Sequence, residues 1–166
     1  MATSTKQSPD ARSDAGFDLS LTEEQALVQK TPRDFAREKV LPKAAEIDEK
    51  KKVPAELIRE MGKLGLMGID VPERYGGSGL DTLTYVLVVE EINRACASTG
   101  VILCTHASLA VATILRAGND AQEEKWLPAL ARGEKIGCFA LSEPASGSDA
   151  AAMRMTARRD GDSWVL

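Results

Sequence analysis

The sequence has 166 residues, 21 lysines and arginines against 25 aspartates and glutamates, and a formal net charge of −4. A mildly acidic chain gives no electrostatic reason to bind nucleic acid, whose recognition rests on clustered lysine and arginine. With 43 % apolar and 28 % charged residues the composition is that of a soluble globular protein, long enough for one domain or for one domain and the start of another. Three widely spaced cysteines (Cys96, Cys104, Cys138) form no C-x-x-C pair, and His106 is the only histidine. Hydrolase triads and most metal sites lack their residue types, and a structural role in an apolar run is the plain reading of His106.

Residues 1–18 are polar, with no apolar core of a signal peptide, and read as a disordered tail. Thr22-Glu23-Glu24-Gln25 is a capping box that opens a helix. Its apolar positions run on to Ile47, with a kink or break expected at Pro32 and a second irregularity at Pro42. A further helix is expected from about Pro54 to Leu64. Gly62, Gly65 and Gly68, three apart, match no nucleotide-binding fingerprint. Residues 71–79 read as a connecting loop.

Two apolar helices follow, about Thr82 to Cys96 and Thr99 to Ala117, with Ser98 as the expected cap between them. Residues 95–115 carry no charge over about 21 positions, near the length of a membrane span. Interruption by Ser98, Thr99, Gly100, Thr105, His106, Ser108 and Thr113 favours a helix buried in a bundle. A shorter helix, Ala121 to Arg132, is expected to break near Pro128. At Gly133 the pattern changes. Ile136 to Leu141 reads as a buried strand. A small-residue turn follows over residues 142–149, and then short strands at Met155 to Arg158 and Ser163 to Leu166 around Asp160-Gly161-Asp162. Helices first and strands second make the chain mainly α, with a helical domain over 19–132 and the opening of a β domain over 133–166.

The turn at 142–149 exposes hydroxyls and backbone N–H groups, which suits an anionic or carbonyl-rich ligand but is more often the composition of a structural turn. Its residues carry a resemblance. Cys138-Phe139-Ala140-Leu141-Ser142-Glu143-Pro144-Ala145-Ser146-Gly147-Ser148-Asp149 resembles the first signature of the acyl-CoA dehydrogenase family. Further matches stand in family order: Arg33-Asp34-Phe35-Ala36, Leu64-Gly65-Leu66-Met67-Gly68, Val71-Pro72-Glu73, Tyr75-Gly76-Gly77, Glu90-Glu91-Ile92 and Ala117-Gly118-Asn119. Residues 96–101 and 135–142 are most similar to the short-chain (butyryl-CoA) branch.

The resemblance covers about residues 19–166 and implies the family's N-terminal helical domain followed by the first strands of its middle β domain. It implies FAD as cofactor, an acyl-CoA thioester as substrate, and oxidation to the trans-2-enoyl-CoA by a glutamate base and the flavin. It also implies an electron-transferring flavoprotein as acceptor, a homo-oligomer (a tetramer in the intact family), and a cytoplasmic location, or the mitochondrial matrix in a eukaryote. Carried over by position, Phe139, Leu141, Ser142, Gly147 and Ser148 would contact FAD, and Ser148 would also touch the CoA arm. Val101, Thr105 and Leu109 would line the acyl pocket or simply pack in the core. No base is assigned within the chain, because the family's base glutamate and second flavin strand would lie beyond Leu166; Glu143 is expected to hold local structure instead. Without them, no dehydrogenation by this chain alone is expected. The family usually has glycine where Ala145 stands, so altered backbone angles are expected there. The alternatives are a same-fold acyl-CoA oxidase or flavin monooxygenase, and a non-catalytic helical interaction module.

Overall fold

The computed structural model describes residues 20–166, so the expected tail at 1–18 lies outside the described residues. Helix α1, Glu23–Phe35, opens on the capping box: Thr22 Oγ1 accepts from Gln25 N, and Gln25 Oε1 accepts from Thr22 N. Pro32 does not break it. The α-helix runs through Pro32 to Phe35, and the departure from α geometry comes next, as a π-segment over Ala36–Val40 and a 3-10 turn over Leu41–Lys43 that contains Pro42. Proline forfeits one intrahelical bond, and burial of Pro32 and Phe35 in tertiary contacts offsets it. Helix α2, Ala44–Lys50, ends on Lys51 at φ 50°, the only non-glycine in the left-handed region among the described residues. Helix α3, Ala55–Lys63, starts after Pro54, which stands at the N-cap.

The glycines of the next stretch serve close approach. A Cβ on Gly62 would stand 2.1 Å from Arg132 O, and one on Gly68 would stand 2.7 Å from Ala131 Cβ. The connection over 64–80 therefore lies against the end of helix α7, Asp120–Ala131. It closes on itself through Gly79 N to Val71 O (2.9 Å) and Leu80 N to Ile69 O (2.8 Å).

Helix α4, Thr82–Ala95, is capped by Asp81, whose side chain accepts from Thr84 N and whose carboxyl is thereby held below the usual carboxylate range. It packs on α1, and Glu91 receives Nε and Nη2 of Arg33 at 3.1 and 2.8 Å across the contact. The following helix begins with α5, Ala97–Cys104, widens into a π-segment over Thr105–Val111, and ends as α6, Ala112–Ala117. Ser98 is not its cap. Cys96, extended at φ −159°, holds that position with no side-chain bond, which places Ser98 inside the first turn. The stretch Ala97–Ala117 is long and apolar enough to cross a membrane, but Thr99, Leu103, His106, Ala107, Ala110 and Val111 are buried within the protein.

Helix α7 carries a second capping box, Asn119 with Gln122, and runs unbroken through Pro128. The buried side chains Leu127, Leu130 and Ala131 on either side of the proline tie it to Val71, Tyr75 and Val111. The larger core gathers Phe35, Leu57, Met61, Met67, Val88, Ile92 and Leu103 from α1, α3, α4 and α5 and the turn between α3 and α4.

Beyond Gly133 the expectations of strand need correction. Residues 136–141 form no strand and are not buried: Ile136 is 55 % exposed, and no other segment among the described residues pairs with the run. An apolar sequence specifies a strand only where a neighbour accepts its hydrogen bonds. Of the two later strands, β2 (Ser163–Val165) falls where expected, whereas β1 is Arg158–Asp160 rather than 155–158. They form one antiparallel hairpin around Gly161, at φ 60°.

Candidate functional site

Gly133, at φ 65°, ends α7, and the chain turns back across the long helix of residues 97–117. Gly137 N donates to Nδ1 of His106 at 3.0 Å. A Cβ on Gly137 would stand 2.4 Å from Ala110 Cβ, so only glycine lets the main chain lie this close to the helix. The imidazole is fully buried, and burial lowers its pKa against the opposing influence of the main chain of Leu130 and Met67 and the charge of Asp70. His106 is thus a neutral acceptor at Nδ1. The sequence pointed to a structural histidine but not to its partner; the glycine interrupting an apolar run was the available signal.

Residues 138–142 follow as an exposed, irregular stretch. The main-chain N–H groups of Cys138, Phe139, Ala140, Leu141 and Ser142 have no hydrogen-bond partner among the described residues, and neither has the hydroxyl of Ser142 or Ser148. Phe139 and Leu141 are 40 % and 37 % exposed. The stretch therefore offers a row of donors beside apolar side chains, the pattern that a flat, carbonyl-bearing heteroaromatic group would satisfy.

The turn after it is internally tied. Glu143 N donates to Ser146 O (2.8 Å), Ser146 N to Glu143 O (3.2 Å), and Ser146 Oγ to Asp149 O (2.7 Å). The Glu143 carboxylate accepts from Arg154 N (2.8 Å) and Met155 N (2.9 Å). Both its oxygens are engaged by backbone, so it braces residues 143–155. Ala145 is not in the left-handed region, so its methyl brings no backbone strain. Gly147 is open: a Cβ there would meet nothing within 4 Å.

Val101, Thr105 and Leu109 stand on one helix. Val101 and Leu109 are 56 % and 42 % exposed, Thr105 is half-buried, and the opposite face is core. In a regular α-helix, positions four apart advance by roughly 40° per step. The wider π-turn over 105–111 swings the second step back, so the three residues stay along one line. Ser108 Oγ donates to Cys104 O (2.7 Å) and Thr113 Oγ1 to Leu109 O (2.6 Å), satisfying carbonyls around the widened turn. Tyr85 lies against this turn. Burial pushes its phenol up to about 12, so it stays protonated and serves as packing rather than as a base.

The Gly137–His106 hydrogen bond links the helix of Val101, Thr105 and Leu109 to the stretch of Phe139, Leu141 and Ser142. Gly147 and Ser148 lie within the braced turn that follows the stretch. Concavities of about 550 Å³, between α3 and residues 132–136, and about 430 Å³, between α1 and α3, are lined by none of the candidate site residues.

Comparison with known proteins bears on this arrangement. The model of the acyl-CoA dehydrogenase N-terminal domain matches residues 22–134. The mitochondrial short-chain specific acyl-CoA dehydrogenase of Bos taurus is 49 % identical over 148 residues, which are 89 % of this chain and 36 % of that protein. Among solved structures, butyryl-CoA dehydrogenase of Megasphaera elsdenii superposes with a TM-score of 0.80 at 38 % identity, over 88 % of this chain and 39 % of the other. An acyl-CoA dehydrogenase of Bacillus anthracis complexed with FAD superposes with a TM-score of 0.75 at 38 % identity, over 86 % and 24 %. The chain thus spans little more than a third of the length of the curated relatives it matches.

Proposed function

This chain belongs to the acyl-CoA dehydrogenase family, and we propose that it serves the FAD-dependent dehydrogenation of a short-chain acyl-CoA thioester to the trans-2-enoyl-CoA. The observation that carries the reading is the exposed stretch 139–142, whose unpartnered N–H groups and apolar side chains fit a flavin ring and stand in the family's signature order. When bound, the flavin supplies the hydride acceptor.

The chain's own residues bind and orient. Phe139 and Leu141 present apolar surface to the ring, and the free N–H groups and the Ser142 hydroxyl meet its polar edge. Gly147, with open space at its Cα, and Ser148 receive the phosphate region, where a side chain would block backbone approach. Ser148 also meets the CoA arm. Val101, Thr105 and Leu109 form one wall for the acyl chain. The proton-abstracting base is assigned to no residue here, Glu143 being engaged by Arg154 and Met155.

Residues 19–132 then form the helical domain and 133–166 open the β domain of the family fold. The electron acceptor is an electron-transferring flavoprotein, the assembly is a homo-oligomer, and the compartment is the cytoplasm or the mitochondrial matrix. The apolar stretch 97–117 is an interior helix with one face left for substrate rather than a membrane span.

Titration of the purified chain with FAD, followed by flavin fluorescence, tests the assignment. Phe139→Ala and Ser142→Ala are expected to weaken binding, whereas Leu27→Ala, on the far helix α1, is not. FAD binding insensitive to both substitutions would overturn the assigned residues, and a chain that takes up no FAD would overturn the reading for this polypeptide.

A further inference from the structure

We propose that His106 is the positioning residue of the candidate flavin-contacting stretch: through Nδ1 it fixes the Gly137 N–H, and so sets where Phe139, Leu141 and Ser142 stand relative to the helix of Val101, Thr105 and Leu109. The part of this that concerns flavin rests on the function proposed above; the anchoring does not.

His106 is 0 % exposed, yet an imidazole in an apolar interior is costly unless its nitrogens are used. Nε2 makes no well-formed hydrogen bond among the described residues. The ring's strong bond is the one from Gly137 at 3.0 Å, which spans 31 positions of sequence. An isosteric apolar side chain would fill the same core and could not make it.

The geometry on the other side of the bond agrees. Gly137 lies flush on the helix, its α-carbon so close that a methyl would collide with Ala110. From Cys138 to Ser142 no N–H group has a partner among the described residues, and the next tie is the Glu143–Ser146 turn. The candidate flavin-contacting residues thus hang between two fixed points, of which His106 is the one on the helix side. The same helix carries the acyl wall, and the imidazole sits between Thr105 and Leu109 in sequence, within the π-segment. A shift of the helix along its axis would be passed to the stretch through one hydrogen bond.

The test uses the full chain, labelled with nitrogen-15, in four forms: wild type, His106→Asn, His106→Leu and Gly137→Ala. Asparagine places an acceptor oxygen near the position of Nδ1, leucine keeps the apolar volume without an acceptor, and alanine at 137 pushes the stretch off the helix by its collision with Ala110. Circular dichroism reports folding. The Gly137 amide is expected to exchange about tenfold faster in His106→Leu than in wild type, with His106→Asn close to wild type. The FAD dissociation constant is expected to rise about tenfold in His106→Leu and Gly137→Ala and to be largely restored in His106→Asn. Unchanged Gly137 exchange in a folded His106→Leu overturns the proposal. If that variant does not fold, His106→Asn and Gly137→Ala decide: wild-type exchange in the first with weakened FAD binding in the second supports it, and loss of Gly137 protection in a folded His106→Asn overturns it. A wild type that binds no FAD sinks the functional reading alone, since Gly137 exchange still decides the anchor.

Discussion

Residues 22–133 and residues 134–166 answer to the same solvent in opposite ways. The first region buries Leu57, Met61, Met67, Ile92 and Leu103 completely and satisfies its backbone within helices. In the second, Ser146 is the only buried residue among those described, and the two strands are exposed along their whole length. The difference teaches that helices bring their hydrogen bonds with them and need only a face to pack, whereas strands need partners and a covering layer. The helical region therefore closes its own core, and the second region is held by the Gly137–His106 bond, the Glu143 brace and the Gly161 turn.

Hydrogen exchange should show the contrast at its widest. Amides in the middle of α4 are expected to exchange only through global unfolding, and those of β1 and β2 within the dead time, orders of magnitude apart. Equal protection in the two regions would break the comparison. Core deletion comes next. Leu103→Ala is expected to lower unfolding free energy by about 2–5 kcal/mol in urea titrations, since the residue is fully buried.

Acid sharpens the comparison at the joint between the regions. In the unfolded chain the His106 imidazole gains a proton as pH falls below about 6.5. In the folded chain burial depresses its pKa, with Asp70 and the main chain of Leu130 and Met67 opposing only in part. The native state then binds fewer protons, so this group's contribution to stability is complete above about pH 6.5 and is lost as pH falls toward the folded value. The carboxylates held low by neighbours, Asp34 by Lys30, Glu46 by Lys50, Asp81 by Thr84 and Glu134 by Arg132, act in a more acidic window. Urea midpoints at pH 7.5 and 5.5 should differ less in His106→Asn than in wild type.

Smaller effects separate the regions too. Asn119→Ala removes the capping box of α7 and should cost about 1 kcal/mol. Trp164→Ala, at a side chain 66 % exposed in β2, should change stability by no more than about 0.5 kcal/mol despite its size. A large loss there would mean that the hairpin is covered in solution.

What the sequence alone determined is whatever rests on local chemistry. Thr22 and Gln25 announced α1 and Gly161 the hairpin turn, because caps and left-handed turns are satisfied within a few residues. The signature over 138–149 marked the family because it keeps residue order. Tertiary structure decided the rest. Pro32 and Pro128 left their helices whole because packed neighbours offset a missing hydrogen bond. Residues 136–141, apolar enough for a buried strand, form none because a strand needs a pairing partner and no described segment pairs with them. The Glu143 carboxylate found its partners 11 and 12 positions away, and His106 met Gly137 across 31, contacts that no spacing rule encodes, since only the fold brings a buried acceptor to an exposed donor's chain.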